Sequence, residues 1–271
     1  MTPFICPLCR SPFTKINNTE VCENNHHFDI AKEGYLNLLP VQSKSSKNPG
    51  DNKEMMSARR AFLSTGGYFP LAQKIAQISE QYLANIKQAT LLDLGCGEGY
   101  YTNLLKQQLS SHNIVGLDIS KIAIRYAAKR YPDIHFCVAS AYQIPLLDDS
   151  IDLIVRIYAP SKAEELTRLI KENGYLITVT PAPRHLFQLR EAIYEQVNSH
   201  AEENEAVKGF TKVEQITLNY ELDIDDPQQL KDLINMTPFA WKFTPEKLTE
   251  LLGQQRWKVE CDFNIEVFLK N

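Results

Sequence analysis

Through the middle of the chain, short apolar runs alternate with stretches of helical spacing. The runs Leu91-Leu92-Asp93-Leu94, Asn113-Ile114-Val115-Gly116-Leu117-Asp118, 134–139, 151–158 and 174–181 have the length of strands. Between them, Tyr101, Leu104, Leu105 and Leu109 fall on one face of a helix. A second helix opens at Ser120-Lys121 and stops before Pro132, and a third covers 163–170. Strands alternating with helices predict an α/β fold built on a parallel, doubly wound sheet.

Two helices precede the first strand. One runs from Met55 to Leu63 and is broken by Gly66-Gly67; the other, from Leu71 to about residue 85, is apolar at Leu71, Ile75, Ile78 and Tyr82. Beyond Pro181 the rhythm changes. The pattern predicts a helix over 186–197, an acidic loop at 202–205 and an alternating strand at 213–222. Asp226-Pro227 and Thr244-Pro245 each open a helix, with proline suited to the first turn. Two strands, 257–261 and 264–269, are expected to close the chain as a hairpin.

The 271 residues are enough for a sizeable core. Nowhere do about 18 apolar residues follow one another, so no membrane span is expected. The start, Met1-Thr2-Pro3-Phe4-Ile5-Cys6-Pro7, lacks the basic and apolar segments of a signal peptide, and a cytoplasmic protein is expected. A net charge of −4 argues against a broadly basic, nucleic-acid-binding surface. The small basic excess lies in the first 60 residues, so a polyanion would approach from that side.

Three of the six cysteines cluster at the N-terminus. Cys6, Cys9 and Cys22, followed by His26, spell Cys-x2-Cys-x12-Cys-x3-His, with His27 the alternative fourth ligand. Such spacing holds two thiolates on one side of a tetrahedral Zn²⁺ and brings two ligands from a second turn to the other. A closed Cys3His set leaves no open position, so the zinc is expected to be structural. A 30-residue module has too small a core to fold alone, and the metal supplies the missing free energy. The expected organisation is a zinc-binding module at 1–34, a polar Ser/Lys linker at 35–54 and a ligand-binding α/β domain at 55–271. In that last domain a core occupies about 86–185 and substrate-side elements occupy 186–271.

That assignment rests on the turn after the first strand, Gly95-Cys96-Gly97-Glu98-Gly99. A dinucleotide fingerprint spaces its glycines Gly-x-Gly-x-x-Gly. Here the third glycine comes one residue early, Tyr100 stands in its place, and Asp93 precedes the first by two. Asp-x-Gly-x-Gly-x-Gly resembles the signature of class I S-adenosylmethionine-dependent methyltransferases. Asp118 ends the next strand about 20 residues on, where a ribose-binding carboxylate belongs.

The resemblance extends further. The cysteine cluster, the phrase Ala31-Lys32-Glu33-Gly34-Tyr35-Leu36-Asn37-Leu38-Leu39-Pro40, the glycine turn, Arg156-Ile157-Tyr158-Ala159-Pro160 and Pro183-Arg184-His185-Leu186 are similar to one family. It is that of the bacterial large-subunit rRNA guanine-N1 methyltransferases of the RlmA type. The resemblance implies S-adenosylmethionine as donor, N1 of a guanine in a 23S rRNA hairpin as acceptor, a zinc module that helps grip RNA, and a homodimer. Of the family's two branches it favours the one methylating guanine 745 over that methylating 748. It implies a donor pocket of Tyr68, Gly95, Gly97, Glu98, Gly99, Asp118 and His185. Ser140 stands where related enzymes often carry an acid for the adenine amino group. Tyr158 is the candidate for stacking on the flipped base, Arg156 or Arg184 for stabilising charge on O6, and His185 a candidate base. Lys44, Lys47, Arg59 and Arg60 are candidates for phosphate contact. The glycine turn and Asp118 alone also fit an enzyme acting on a small molecule, a reading that leaves the zinc module without a role.

Overall fold

The structure is a computed structural model and describes residues 2–40, 52–194 and 206–271. The N-terminal module holds β1 (Phe13–Ile16), β2 (Thr19–Cys22) and β3 (His27–Asp29). Then follow β4 (Leu36–Asn37), α1 (Lys53–Ser64), α2 (Phe69–Leu83), β5 (Thr90–Leu94), α3 (Tyr100–Gln108), β6 (Asn113–Asp118), α4 (Lys121–Arg130), β7 (His135–Val138) and β8 (Ile151–Ile157). The chain continues through α5 (Ala163–Leu169), β9 (Ile170–Pro181), α6 (Phe187–Glu191), β10 (Phe210–Ile224), α7 (Pro227–Asn235), α8 (Pro245–Leu252) and β11 (Trp257–Lys270).

The first three strands make an antiparallel sheet, β1-β2-β3. The main sheet has the order β10-β11-β9-β8-β5-β6-β7-β4. From β4 to β9 every pairing is parallel, and β11 and β10 are antiparallel additions. The expected Rossmann-like, doubly wound core is therefore present, with an antiparallel edge. Local signals place its helices. Asn52 accepts the Met55 N–H at 2.8 Å to cap α1, and Ser120 caps α4 through Ala123 N–H. Asp226 and Thr244 cap α7 and α8, each with proline next. β5 is buried from Leu91 to Leu94, and β8 throughout except at Ile157, because packing covers both faces of the sheet.

Three expectations need correcting. The C-terminal hairpin is absent: Trp257–Lys270 is one strand that runs between β9 and β10. Asp262 and Phe263 were expected to lie between two strands, but both are buried mid-strand. The linker expected from residue 35 begins too early, since Leu36 and Asn37 pair with Cys137 and Val138. Tyr35, Leu36, Leu38 and Leu39 are buried there, which anchors the stretch by its apolar side chains. The helix after Pro181 is short, Phe187–Glu191, starting after Leu186 in a left-handed conformation. Residues 195–197 of that expected helix, the 202–205 loop, and Lys44 and Lys47 lie outside the described residues.

Burial divides between the two faces of the sheet. On one, Leu71, Ile75, Leu105, Val155, Ile177 and Phe263 join a single cluster. On the other, Leu92, Leu94, Leu117 and Ile154 pack in one cluster with Phe4, Phe13 and Leu38 from the N-terminal segment. Each such side chain contributes about 1.5–3 kcal/mol when buried, so the module is held to the sheet by the same force that builds the sheet. Ile5 N–H also donates to Pro145 O at 2.9 Å, and Arg10 pairs with Asp148.

Packing is tightest behind the glycine turn. A Cβ on Gly116 would lie 2.5 Å from two atoms of the Phe136 ring and 3.0 Å from Cys96 Sγ. Phe136 is buried and cannot swing aside. Gly116→Ala is expected to cost about 1–3 kcal/mol through overpacking, seen as a melting temperature several degrees lower. An unchanged melting temperature would contradict this account of the packing.

Candidate active site

The turn after β5 needs its glycines. Gly95, Gly97 and Gly99 have φ of +81°, +55° and +83°, a region costly for residues with a Cβ. Gly95 and Cys96 both donate their N–H to Leu117 O, at 2.8 and 3.0 Å, which draws the turn against β6. A Cβ at Gly95 would sit 2.4 Å from that of Ala159, whereas one at Gly97 would meet nothing within 4 Å. Gly97 thus faces the open side, where a ligand can approach the backbone.

Asp118 is the other half of this arrangement. Its Oδ2 accepts the Gly97 N–H at 2.9 Å and its Oδ1 the Ser120 N–H at 2.7 Å. These bonds fix the carboxylate beside the turn, and a carboxylate offers about four lone-pair sites in all. Asp93 lies beneath, buried, accepting Thr102 Oγ1–H at 2.6 Å. Burial pushes its carboxyl up to about 7, the Thr102 bond opposes this, and the charge of Asp118 adds to it. Two acids ending adjacent strands favour a cation at the mouth of the turn.

Glu98 points elsewhere. It is 2% exposed, and its Oε2 lies 3.5 Å from Arg130 Nη1 while no donor among the described residues meets Oε1. Burial raises its pKa, against the pull of Arg130, Arg60 and Arg59. Ser140 follows β7 at the same edge of the sheet and accepts the Tyr142 N–H at 3.2 Å.

An aromatic wall closes the other side. Tyr68 is buried edge-on against Phe62 and Phe263, with ring centroids 5.0 and 5.2 Å away. Its hydroxyl lies 3.3 Å from His185 Nε2. His185 Nδ1 accepts the backbone N–H of Asp262 at 3.3 Å, so both ring nitrogens are engaged. Tyr158 stands 6.2 Å from the His185 ring, centroid to centroid. It directly follows β8 at φ +54°, a strained setting for a tyrosine. The residue is 47% exposed, yet the surrounding protein, by burial and then by Tyr101, Cys261 and Asp262, holds its phenol pKa well up.

The structure brings Tyr68, His185 and Tyr158 together, and Gly95, Gly97 and Gly99 beside Asp118. The two arginines are less available. Arg156 is buried and donates to Ser161 Oγ at 2.9 Å. Arg184 donates Nε–H to both Glu260 oxygens, at 2.9 and 2.8 Å, with its guanidinium over Phe187. The sequence reading missed Phe263, Tyr220 and Asp262, all on strands β10 and β11. Tyr220 donates its hydroxyl to Gly67 O at 2.9 Å and so braces the turn that carries Tyr68. The alternation of β10 was visible, but its partner strand was cut in two at the residues that matter.

The metal centre is separate from this cleft. The ligand atoms of Cys6, Cys9, Cys22 and His26 all lie within 4.8 Å of one another. Cys9 Sγ to Cys22 Sγ is 3.5 Å, and His26 Nδ1 is 3.5 and 3.3 Å from the sulfurs of Cys6 and Cys22. An ion about 2.3 Å from each sulfur needs tetrahedral edges close to these lengths. His26 N–H also points at Cys22 Sγ at 3.3 Å, as a thiolate requires. His27 is exposed and bonds Asn25, which leaves His26 as the fourth ligand. The donor set fits a structural Zn²⁺.

A positive-φ glycine turn tied to a carboxylate one strand over, at the carboxyl ends of a Rossmann-like sheet, defines a class I methyltransferase that uses S-adenosylmethionine. Residues 86–254 match the family described as "Methyltransferase domain", and residues 4–47 match "RlmA, N-terminal", a zinc ribbon. The chain is 30% identical over 254 residues to "23S rRNA (guanine(748)-N(1))-methyltransferase" of Streptomyces fradiae, covering 92% of this chain and 89% of that protein. It is 30% identical over 282 residues to YxjB of Bacillus subtilis (strain 168), provisionally named a 23S rRNA (guanine-N(1)-)-methyltransferase, over 98% of this chain and 97% of that one. Similarity to "Malonyl-[acyl-carrier protein] O-methyltransferase" of Methylococcus capsulatus, also 30%, covers only 54% of this chain and 62% of that protein. The chain therefore belongs to the RlmA family of methyltransferases.

The buried Asp93 gives a pH test. A carboxyl whose pKa is higher in the folded than in the unfolded protein contributes stability at low pH that is lost as pH rises through the folded value. For Asp93 that window runs from 3.8 to about 7. The unliganded protein should lose melting temperature between pH 4 and 7, and Asp93→Asn should lose less. Equal losses in the two proteins would contradict the burial argument.

Proposed function

We propose that the protein transfers a methyl group from S-adenosylmethionine to N1 of a single guanine in a 23S rRNA hairpin. One observation carries this reading: the zinc ribbon and the methyltransferase domain occur together in a chain whose relatives, over nearly its full length, are named for that reaction. A relative named for another acceptor shares only about half of the chain.

The donor, when bound, supplies a methyl group already activated on a sulfonium. The chain's own residues then hold and exclude. Gly95 and Gly99 shape the turn and Gly97 leaves room for a ligand's amino-acid end against the backbone, Asp118 accepts ribose hydroxyls, and Ser140 faces the adenine side. Tyr68, with His185 behind it, closes the cleft. Because positioning supplies much of the acceleration in such a displacement, a wall of packed rings is a suitable support. A guanine must leave its stack to be methylated at N1, which a hairpin loop allows more cheaply than a duplex. Tyr158, half-exposed beside His185, offers that base a ring to stack on. Arg156 or Arg184 remains the candidate to stabilise charge on O6.

The zinc module at 1–34, packed on the sheet, extends the surface offered to RNA, and two copies of the chain act as a dimer. No helix among the described residues is long and apolar enough to cross a membrane, and a cytoplasmic enzyme is the reading that fits an rRNA substrate. The phrases at 31–40 and 93–101 favour guanine 745, while the Streptomyces fradiae relative is named for 748.

Primer extension tests this. N1-methylguanine cannot form a Watson–Crick pair and stops reverse transcriptase. RRNA from cells with the gene should show the stop, and rRNA from a deletion strain should not. The position of the stop separates 745 from 748, and a stop that persists without the gene would refute the assignment.

A further inference from the structure

Three neighbouring strands end or pass together where the acceptor would lie. β8 is followed directly by Tyr158, whose N–H donates to Val179 O on β9 at 3.2 Å. β9 ends at Pro181, paired with Phe263 of β11, and Ala182 N–H donates to Asp262 O at 3.0 Å. Asp262 is therefore carried to the carboxyl edge of the sheet beside Tyr158 and His185.

Its setting is unusual for an acid. Asp262 is 6% exposed in the middle of a strand. Its Oδ2 accepts the Arg184 N–H at 3.0 Å. Among the described residues no donor meets Oδ1, and that atom is not sealed from solvent. Its backbone N–H holds His185 Nδ1, and its charge acts on the Tyr158 phenol. A buried carboxylate with one oxygen anchored to the backbone is fixed in orientation. The other oxygen, open to solvent and without a protein partner among the described residues, is free to accept a hydrogen bond from a ligand.

Guanine N1 carries a proton that must leave before or as the methyl arrives. His185 is poorly placed to take it, because Tyr68 and the Asp262 N–H already engage its two nitrogens. We infer that Asp262 is the general base: its Oδ1 accepts the guanine N1–H while Tyr158 stacks on the base. This rests on the guanine-N1 reading above. The N1–H bond breaks as the proton passes to Asp262 Oδ1, and the electron pair left on N1 forms the new N–CH3 bond. The C–S bond of the sulfonium breaks with its pair going to sulfur, giving neutral S-adenosylhomocysteine. The proton leaves Asp262 for water when the product departs. His185 is then a positioning residue, tying the strand that holds Asp262 to the Tyr68 wall.

The experiment measures methyl transfer to a 23S rRNA hairpin transcript by the full-length protein, wild type and Asp262→Asn, across pH, with calorimetry for S-adenosylmethionine affinity. The asparagine can still accept the Arg184 N–H, so the variant should bind the cofactor as the wild type does. Its transfer rate should fall by roughly a hundredfold or more. Its residual rate should climb in proportion to hydroxide, while the wild-type rate levels off below the pH at which guanine itself ionises. A merely structural role would lower the rate without changing the shape of this profile. A variant within about threefold of wild type overturns the assignment. Should Asp262→Asn lose cofactor binding, the wild-type profile alone decides, and a rate still climbing with hydroxide at high pH overturns it. A wild type that leaves the hairpin unmethylated refutes the rRNA reading instead, and takes this assignment with it.

Discussion

Three glycines bend the chain between β5 and α3 into a turn that a side chain on Gly95 would block and that opens toward a ligand only at Gly97. The hydrogen bond from Gly97 N–H to Asp118 ties this turn to the next strand. Backbone shape and the position of the Asp118 carboxylate are thus set by one contact. The rest of the fold serves it. β6 meets the turn through Leu117 O, Gly116 lets Phe136 pack directly behind, and Asp93 and Thr102 lock the first turn of α3 to β5. Burying Asp93 costs stability, which a positively charged ligand at the same place offsets.

The N-terminal module is not a tethered accessory. Phe4, Phe13 and Leu38 enter the same buried cluster as Leu92 and Leu117. A small metal-stapled sheet lacks a core of its own, and here it borrows one from the back of the catalytic sheet. Its position relative to the cleft is accordingly fixed by packing, which an RNA hairpin spanning both would require. The opposite edge is built differently. β10 and β11 run antiparallel to the core and bring Tyr220, Phe263 and Asp262 to the aromatic wall. The glycine turn and the aromatic wall thus come from the parallel and antiparallel parts of one sheet.

Much of this was legible in the sequence. The central strands are near-continuous apolar runs, and glycine spacing, Asp118 and the cysteine pattern each have a single good physical reading. Two failures are instructive. Leu36-Asn37 was taken for linker because a two-residue edge strand is too short to show a period. Asp262-Phe263 was taken for a break between two strands because a polar residue such as aspartate is disfavoured within one. A buried aspartate in mid-strand is a local inconsistency, and such conflicts concentrate where function overrides folding. What motif position could not show is the partner each side chain takes: Glu98 lies 3.5 Å from Arg130, and Arg184 pairs with Glu260.

Calorimetry of S-adenosylmethionine with the wild-type protein and with Asp118→Ala tests the central claim most directly. Wild type should bind one equivalent, and loss of a carboxylate that both accepts from the ligand and anchors the turn should weaken binding by about tenfold or more. Equal affinity in the two proteins, or none in the wild type, would contradict the account.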